Sequence, residues 1–298
     1  MPEGPEVRRY ADLLATHLEE QTLIRLWTRL KIAKAWLAER ESEIVGRKIL
    51  QIRSHGKHLI GRFEGDFYFH SHLMMWGKWL MFERAPAEID RRERARIETA
   101  EATAVLFSAP TFALGQGDPY EQIGTLAELG TDVLPYVGDF DRDDFIERLF
   151  APENLPKNLS ETIGAALLNQ RIVAGIGNYL RAEILFNCRI NPWRTIGELT
   201  STEIECLCYT VPHFSVLAYK TGGRTVTDAE RDRLLTEHGL AYSLGSDWGA
   251  RHYVFRRTNL PCLMCGMKIK QKRQVTYADE EREKTRIIYF CPNCQNVV

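Results

Sequence analysis

Cys262-Leu263-Met264-Cys265 and, 25 residues further on, Cys291-Pro292-Asn293-Cys294 close the chain. Two thiolates two residues apart can hold one metal from a single knuckle, and two such knuckles supply the tetrahedral sulfur set that suits zinc. The gap between them is wider than the roughly 15–20 residues usual for such sites, so a long β-hairpin is expected there. Gly266 after the first knuckle and Pro292 inside the second are further marks of metal knuckles. One structural Zn2+ on Cys262, Cys265, Cys291 and Cys294 is therefore expected. The arms carry Lys268, Lys270, Lys272, Arg273, Lys284 and Arg286, which a hairpin can lay along a phosphate backbone or simply expose to water.

Upstream, Leu168-Asn169-Gln170-Arg171-Ile172-Val173-Ala174-Gly175-Ile176-Gly177-Asn178-Tyr179-Leu180-Arg181 reads as two helices around a glycine-punctuated turn. Gly175 and Gly177 allow close approach of backbone to phosphate, and the N–H groups at the next helix start can bind an anion. Asn178 at that start is a cap, a phosphate ligand, or both. Helices are expected over 141–150, 160–169, 179–186, 200–207 and 212–219, with Ser160 as a cap; Asp228 to Gly249 reads as a polar insertion. Residues 125–141 read as a linker.

The first half has a different texture. Glu6 to Glu20 places Val7, Tyr10, Leu13, Leu14 and Leu18 at helical spacing. From Leu23 to Phe107 come short β-forming runs with turn signals, the pattern of a sandwich or barrel. Ala87 to Glu98 is densely charged and reads as a solvated hairpin. Ser54-His55-Gly56-Lys57-His58-Leu59 opens a strand with a lysine beside a glycine. His70-Ser71-His72-Leu73-Met74-Met75-Trp76 ends one with an apolar cluster, either core or a wedge able to fill the hole left by an extruded base. His70 and His72 share a strand face without an evident third metal ligand, so His72 is read as packing or contacting phosphate.

The chain starts Met1-Pro2-Glu3-Gly4-Pro5-Glu6. Loss of the initiator methionine would leave Pro2 with a secondary amine titrating near ~8, a usable nucleophile at neutral pH. Attack on an aldehyde-level carbon gives an iminium, and Glu3 can move protons beside it.

Composition sets wider bounds. The 298 residues are 44% hydrophobic and 27% charged with a net charge of −1, an ordinary globular balance. Ten acids face two arginines between Asp118 and Glu153, whereas His252 to Gln274 holds six Lys/Arg and no acid. Local patches therefore say more than the net charge. No secretory leader or membrane-length apolar run is evident, and seven cysteines with paired knuckles favour a reducing compartment. Cys188, Cys206 and Cys208 are expected as buried thiols.

These stretches, in this order, resemble the formamidopyrimidine-DNA glycosylase/endonuclease VIII family: MPEGPE, HGKHLI, SHLMMWGKW, LLNQRIVAGIGNYLRAEILF and CLMC…CPNC. The resemblance spans nearly the whole chain. It implies an α+β multidomain protein: an N-terminal β-sandwich with an N-terminal helix (1–130), a helix–two-turn–helix domain (131–250) and a zinc-finger hairpin (251–298). It further implies a bifunctional glycosylase/AP lyase of base excision repair acting on damaged DNA. Pro2 is then the Schiff-base nucleophile, Glu3 the acid/base and Glu6 a supporting carboxylate. Lys57, Asn178 and Arg286 would hold phosphates, with Arg273 and His72 as further DNA contacts and Met75 as wedge beside Met74 and Trp76.

Within the family, the formamidopyrimidine branch carries an Arg-x-Phe loop. Here Leu106-Phe107-Ser108-Ala109-Pro110-Thr111-Phe112 lacks the arginine. PEVRRYADLL, FSAPTFAL and HYVFRRTNLPC look more like the endonuclease VIII branch, which prefers oxidised pyrimidines. A glycosylase for oxidised purines and a non-catalytic damaged-DNA-binding protein are the alternatives. A monomer in the cytoplasm or nucleoid is expected.

Overall fold

Val7, Ala11, Leu14 and Leu18 recur at helical spacing and are all buried along α1 (Gly4–Leu18), the stripe expected of a helix with one face on a core. In the computed structural model, residues 2–84, 87–151, 161–238, 251–278 and 283–297 are described. They fall into two compact units, Met1–Leu129 and Gly130–Val298. Met1, the cap at Ser160 and the 239–249 part of the polar insertion lie outside the described residues.

The first unit continues with β1 (Arg25–Thr28), α2 (Lys31–Ile44), β2 (Ile49–His55), β3 (His58–Phe63), β4 (Phe67–His72), β5 (Lys78–Phe82), β6 (Glu93–Glu98), β7 (Thr103–Phe107) and β8 (Thr111–Gln116). The short helices α3 (Pro119–Gln122) and α4 (Gly124–Ala127) follow. The strands form two antiparallel four-stranded sheets, ordered β1-β6-β7-β5 and β2-β3-β4-β8. The expected sandwich is thus present, and its aromatic centre joins the two sheets. Trp79 of β5 lies 6.0 Å from Phe69 of β4 and 6.3 Å from Phe112 of β8, ring to ring. Its indole N–H donates to Ser71 Oγ at 3.2 Å, so the largest core side chain has its polar atom satisfied.

Alternation along the second sheet puts His58, His70 and His72 on one face, because His58 pairs with His72, and Ile60 with His70. His58 Nδ1 and His70 Nε2 share a hydrogen bond of 2.9 Å, and the His72 ring meets that of His58 edge-on at 4.8 Å. Burial, reinforced by His72 and His70, pushes the His58 imidazole down to about 2. Burial and His72 push His70 down to about 4, and burial and Lys57 push His72 down to about 4.

The second unit comprises β9 (Thr131–Asp132), α5 (Arg142–Phe150), α6 (Ile163–Ala166), β10 (Val173–Ala174), α7 (Asn178–Asn187), α8 (Ser201–Thr221), α9 (Asp228–His238), β11 (Lys270–Ala278) and β12 (Glu283–Phe290). Its core mixes helical residues such as Leu180, Ile184 and Val211 with Cys262, Ile269, Ile288 and Cys291 of the cysteine-bearing segment. The link between the two is polar. Arg181 of α7 is fully buried and donates to the Gly164 carbonyl (3.1 Å), Gln274 Oε1 (3.3 Å) and the Ile287 carbonyl (2.8 Å). Glu183, also buried, accepts from the backbone N–H groups of Tyr253, Val254 and Phe255 (2.7, 2.9 and 2.9 Å) and from Thr225 Oγ1 (2.7 Å). Burial raises its carboxyl, and these donors act the other way.

Several expectations are corrected. Of the charged stretch at 87–98, residues 87–92 are mostly exposed, whereas 93–98 form β6, an interior strand of its sheet, and Glu93 and Arg96 are buried on it as an ion pair of 2.6 Å rather than solvated. Arg96 also reaches the Glu88 carbonyl, and Glu93 accepts from Asp90 N, so mutual pairing let two charges pass for surface. Helix α2 arises where strands were expected. Its Ala, Lys and Glu content favours helix, but only Ala33, Leu37 and Ile44 are buried, too sparse a stripe to show in the pattern. The helices expected over 200–207 and 212–219 are one, α8, running through Pro212; Leu207, Val211, Phe214 and Ala218 bury a common side that offsets the lost N–H bond. Cys188 and Cys206 are joined by a disulfide, their Cα atoms 5.7 Å apart where the end of α7 meets α8; only Cys208 is the buried thiol expected.

Two outcomes follow. Arg96→Met strands the Glu93 carboxylate in the sandwich and should cost ~3–5 kcal/mol of stability, read as a lower urea midpoint, with Glu93→Leu in the same chain recovering much of it. Separately, the buried histidines fold neutral, whereas an unfolded histidine titrates near ~6.5. Between that value and about 4 the unfolded chain binds more protons, so stability falls as pH falls, by up to ~1.4 kcal/mol per pH unit for each histidine. Denaturation midpoints at pH 7, 6 and 5 measure this; His70→Gln should flatten the trend, and a level profile in the parent would contradict it.

Candidate nucleic-acid interface and metal centre

In the first unit, Glu3 caps α1 and is buried. A capping box closes the helix start: the Glu3 side chain accepts from the Glu6 backbone, and Glu6 Oε2 accepts from Glu3 N at 2.8 Å. Glu6 also helps, after burial, to raise the Tyr10 hydroxyl. Pro2 directly precedes this cap and is half-buried. The segment that sequence reasoning put at the centre of the chemistry is therefore fixed to a helix that packs on β2, β3 and β5.

Those strands carry the other candidates of this unit. Lys57 sits in the two-residue turn between β2 and β3, with His55 paired to His58 across it. Gly56 takes φ 52° there, a left-handed conformation that a two-residue hairpin turn favours. Between β4 and β5, residues 73–77 form a tight loop. Leu73 is buried, its carbonyl accepts from Gly77 N at 2.8 Å, and a Cβ on Gly77 would lie 2.4 Å from that oxygen. Met74, Met75 and Trp76 project from the loop, 52%, 57% and 77% exposed. His72 turns its Nδ1 to the backbone N–H of Met74 at 3.1 Å. The β7–β8 connection is only Ser108-Ala109-Pro110.

In the second unit, α7 begins at Asn178 with Gly177 as N-cap and no side-chain cap. Asn178 is therefore the first helical residue rather than the cap, and half-buried. The turn before it is braced by Gln170, which donates to the Leu168 and Ile176 carbonyls and accepts from Gly175 N. Arg286 lies on β12 opposite Gln274, and Arg273 on β11 opposite Ile287. Adjacent strand positions face opposite ways, so Arg273 and Arg286 lie on different faces of the ribbon. Lys268, Lys270, Lys272, Arg273, Lys284 and Arg286 are all exposed. The ribbon continues beyond Arg286 to the Ala278–Glu283 pair. The loop around residues 219–224 ends α8, with Arg251 donating to the Gly222 carbonyl at 2.6 Å.

The four knuckle sulfurs lie within 4.8 Å of one another, with Cys262–Cys294 at 3.8 Å and Cys265–Cys291 at 3.5 Å. Tetrahedral bonds of ~2.3 Å place sulfurs about 3.8 Å apart, so this set can hold a metal ion. Met264 N donates to Cys262 Sγ and Cys294 N to Cys291 Sγ, both at 3.4 Å, supporting the ligands from the knuckle backbone. Sequence reasoning missed Gln170, Arg181 and Glu183. The latter two stand in the apolar run Tyr179–Phe186, and charges inside such a run are the signal of buried polar pegs.

Residues 1–111 match the formamidopyrimidine-DNA glycosylase N-terminal domain and residues 135–230 the H2TH domain of the same enzymes. Endonuclease 8 of Pectobacterium atrosepticum is 30% identical over 297 residues, covering 99% of this chain and 100% of the relative. Endonuclease 8 of Escherichia coli is 26% identical over 297 residues, with the same coverage. The fold is shared with the Lactococcus lactis Fpg in complex with abasic-site DNA (TM-score 0.75, 23% identity, 98% of this chain and 99% of that one). It is also shared with MutM in complex with DNA containing carbocyclic 8-oxo-G (TM-score 0.76, 22% identity, 99% of each chain). With two family domains matched in order and relatives aligned end to end, this chain belongs to the formamidopyrimidine-DNA glycosylase/endonuclease 8 family, the DNA glycosylase/AP lyases of base excision repair.

Proposed function

We propose that the chain excises oxidised pyrimidines from DNA through a Schiff base on Pro2, then cuts the strand by β- and δ-elimination. The observation that carries this reading is the N-terminal capping box, which holds Glu3 rigidly beside Pro2 at the start of α1. Binding alone needs neither a secondary amine at Pro2 nor a carboxylate at Glu3.

C1′ is hidden in a stacked duplex, so the nucleotide must rotate out, at a cost of a few kcal/mol that is least for damaged pairs. Lys57, Asn178 and Arg286 hold phosphates beside the lesion, Arg273 adds a cation to the ribbon, and Met75, flanked by Met74 and Trp76, fills the vacancy. The Pro2 nitrogen, freed of Met1, attacks C1′ as the C1′–base bond breaks, with Glu3 passing a proton to O4′ to open the ring and Glu6 holding Glu3 in place. The iminium then acidifies the C2′ proton, and the 3′ phosphate leaves. A preference for pyrimidines is supported by the three-residue β7–β8 connection, which has no arginine, and by the name endonuclease 8 borne by relatives aligned over 99% of this chain.

Cys262, Cys265, Cys291 and Cys294 fit one zinc ion, which would staple the hairpin bearing Arg286 and supply no reaction step. Burial pushes the Cys262 thiol up to about 12 and raises Cys294 as well, so these two thiols hold their protons unless a cation compensates, whereas Cys265, against its burial, is brought down to about 7 by hydrogen bonds led by the Met267 N–H.

Borohydride added to the protein with a duplex carrying 5-hydroxyuracil, thymine glycol or an abasic site should yield a covalent adduct at Pro2. Pro2→Gly should lose base excision and keep DNA affinity; no adduct on any of these substrates defeats the proposal. Metal analysis should find one zinc per chain, and Cys291→Ser should lower zinc content and DNA affinity together. Zinc-free protein with full DNA affinity would contradict the staple.

A further inference from the structure

Met74 adopts φ 51°, a left-handed conformation that an unbranched, non-glycine residue enters at a cost. It stands immediately before Met75, on a loop whose base is closed by Leu73 and Gly77. The group that holds Met74 there is an imidazole: its N–H donates to His72 Nδ1, two residues back, at 3.1 Å. This is the bond an asparagine makes in an Asx turn, here made by histidine. It requires His72 to be neutral and protonated on Nε2, and the lowered titration of His72 agrees with that.

His72 is in turn supported. Its ring rests edge-on against His58, whose Nδ1 is bonded to His70. His58 directly follows Lys57 and closes the same two-residue turn. The groups around His72 are thus His58 on β3, Lys57 on the turn, His70 two residues earlier on β4, and Thr111 paired with it on β8. One stack of imidazoles lies under both the lysine turn and the exposed loop.

We infer that His72 is the positioning residue of the wedge: its Nδ1 fixes Met74 in the left-handed conformation and so sets the direction in which Met75 and Trp76 enter the duplex. The inference rests on the proposed glycosylase reading and gives His72 a role other than phosphate contact. It makes a stereochemical prediction. Asparagine places a carbonyl oxygen where Nδ1 stands, and glutamine places one where Nε2 stands. Only the first can accept from Met74.

The test uses the full-length zinc-bound protein. In duplexes with 5-hydroxyuracil or an abasic-site analogue, 2-aminopurine opposite the lesion reports filling of the vacancy. His72→Asn should stay within about threefold of the parent in excision and in the 2-aminopurine signal. His72→Gln and His72→Ala should lose about tenfold or more in both. Borohydride trapping on a single-stranded abasic oligonucleotide, which needs no wedge, should not separate His72→Asn from His72→Gln. Adding Met74→Gly to His72→Gln should recover part of the loss, since glycine needs no peg. Equal activity of His72→Gln and parent, or an equal fall of His72→Asn and His72→Gln, overturns the inference. So does a parallel loss on the single strand, which would mark His72 as merely structural. Failure of the parent itself to trap abasic DNA would instead overturn the glycosylase reading.

Discussion

The Arg181 guanidinium carries much of the second unit's organisation. A charge with no solvent exposure is tolerable only when most of its donors are met, and partners of its two terminal nitrogens come from separate stretches of chain: Gly164 on α6, Gln274 on β11 and the Ile287 carbonyl on β12. Gln274 is held from its other side by Thr162 Oγ1 and the Pro192 carbonyl. The ribbon therefore cannot slide along α7 without breaking several buried bonds together. Because Arg181 stands one turn beyond Asn178 and Gln274 lies opposite Arg286, the same network fixes the spacing between two residues proposed to grip phosphate. Glu183 does for residues 253–255 what Arg181 does for the hairpin, with the charge reversed.

The first unit solves a different problem. Its interior is mostly apolar and aromatic, with the Glu93–Arg96 pair and the histidines as paired exceptions, and its distinctive residues are carried by short connections at strand ends. Lys57 is on a two-residue turn and Met74–Trp76 on a loop clipped at both ends. Short connections leave few conformations to lose on binding, which suits groups proposed to meet a bent duplex in fixed positions. The N-terminal residues follow the same rule, being locked to α1 by reciprocal hydrogen bonds.

Much of this was legible in the sequence because it is local. The knuckles announce their sulfur cluster by spacing, α1 by its stripe, and strands β3 and β5 by short β-forming runs that match their ends. What escaped depends on partners distant in the chain. Glu93 and Arg96 looked like surface because their mutual pairing inside a sheet cannot be read from a charged run. Arg181 and Gln274 are 93 residues apart, Cys188 and Cys206 meet only when two helices pack, and the histidine stack depends on the register of β3 against β4. Pro212 misled in the other direction, as a breaker overruled by burial on both sides of it.

The bond between Cys188 and Cys206 makes the surrounding redox state a variable of the helical unit. Closing a loop of 18 residues restricts the unfolded chain by about 3 kcal/mol in the chain-entropy account. Samples handled in dithiothreitol and samples handled in air are then two chemical species of one polypeptide, differing in how readily the end of α7 frays from α8. Measurements of stability on this protein acquire meaning only with the thiol titre stated alongside them.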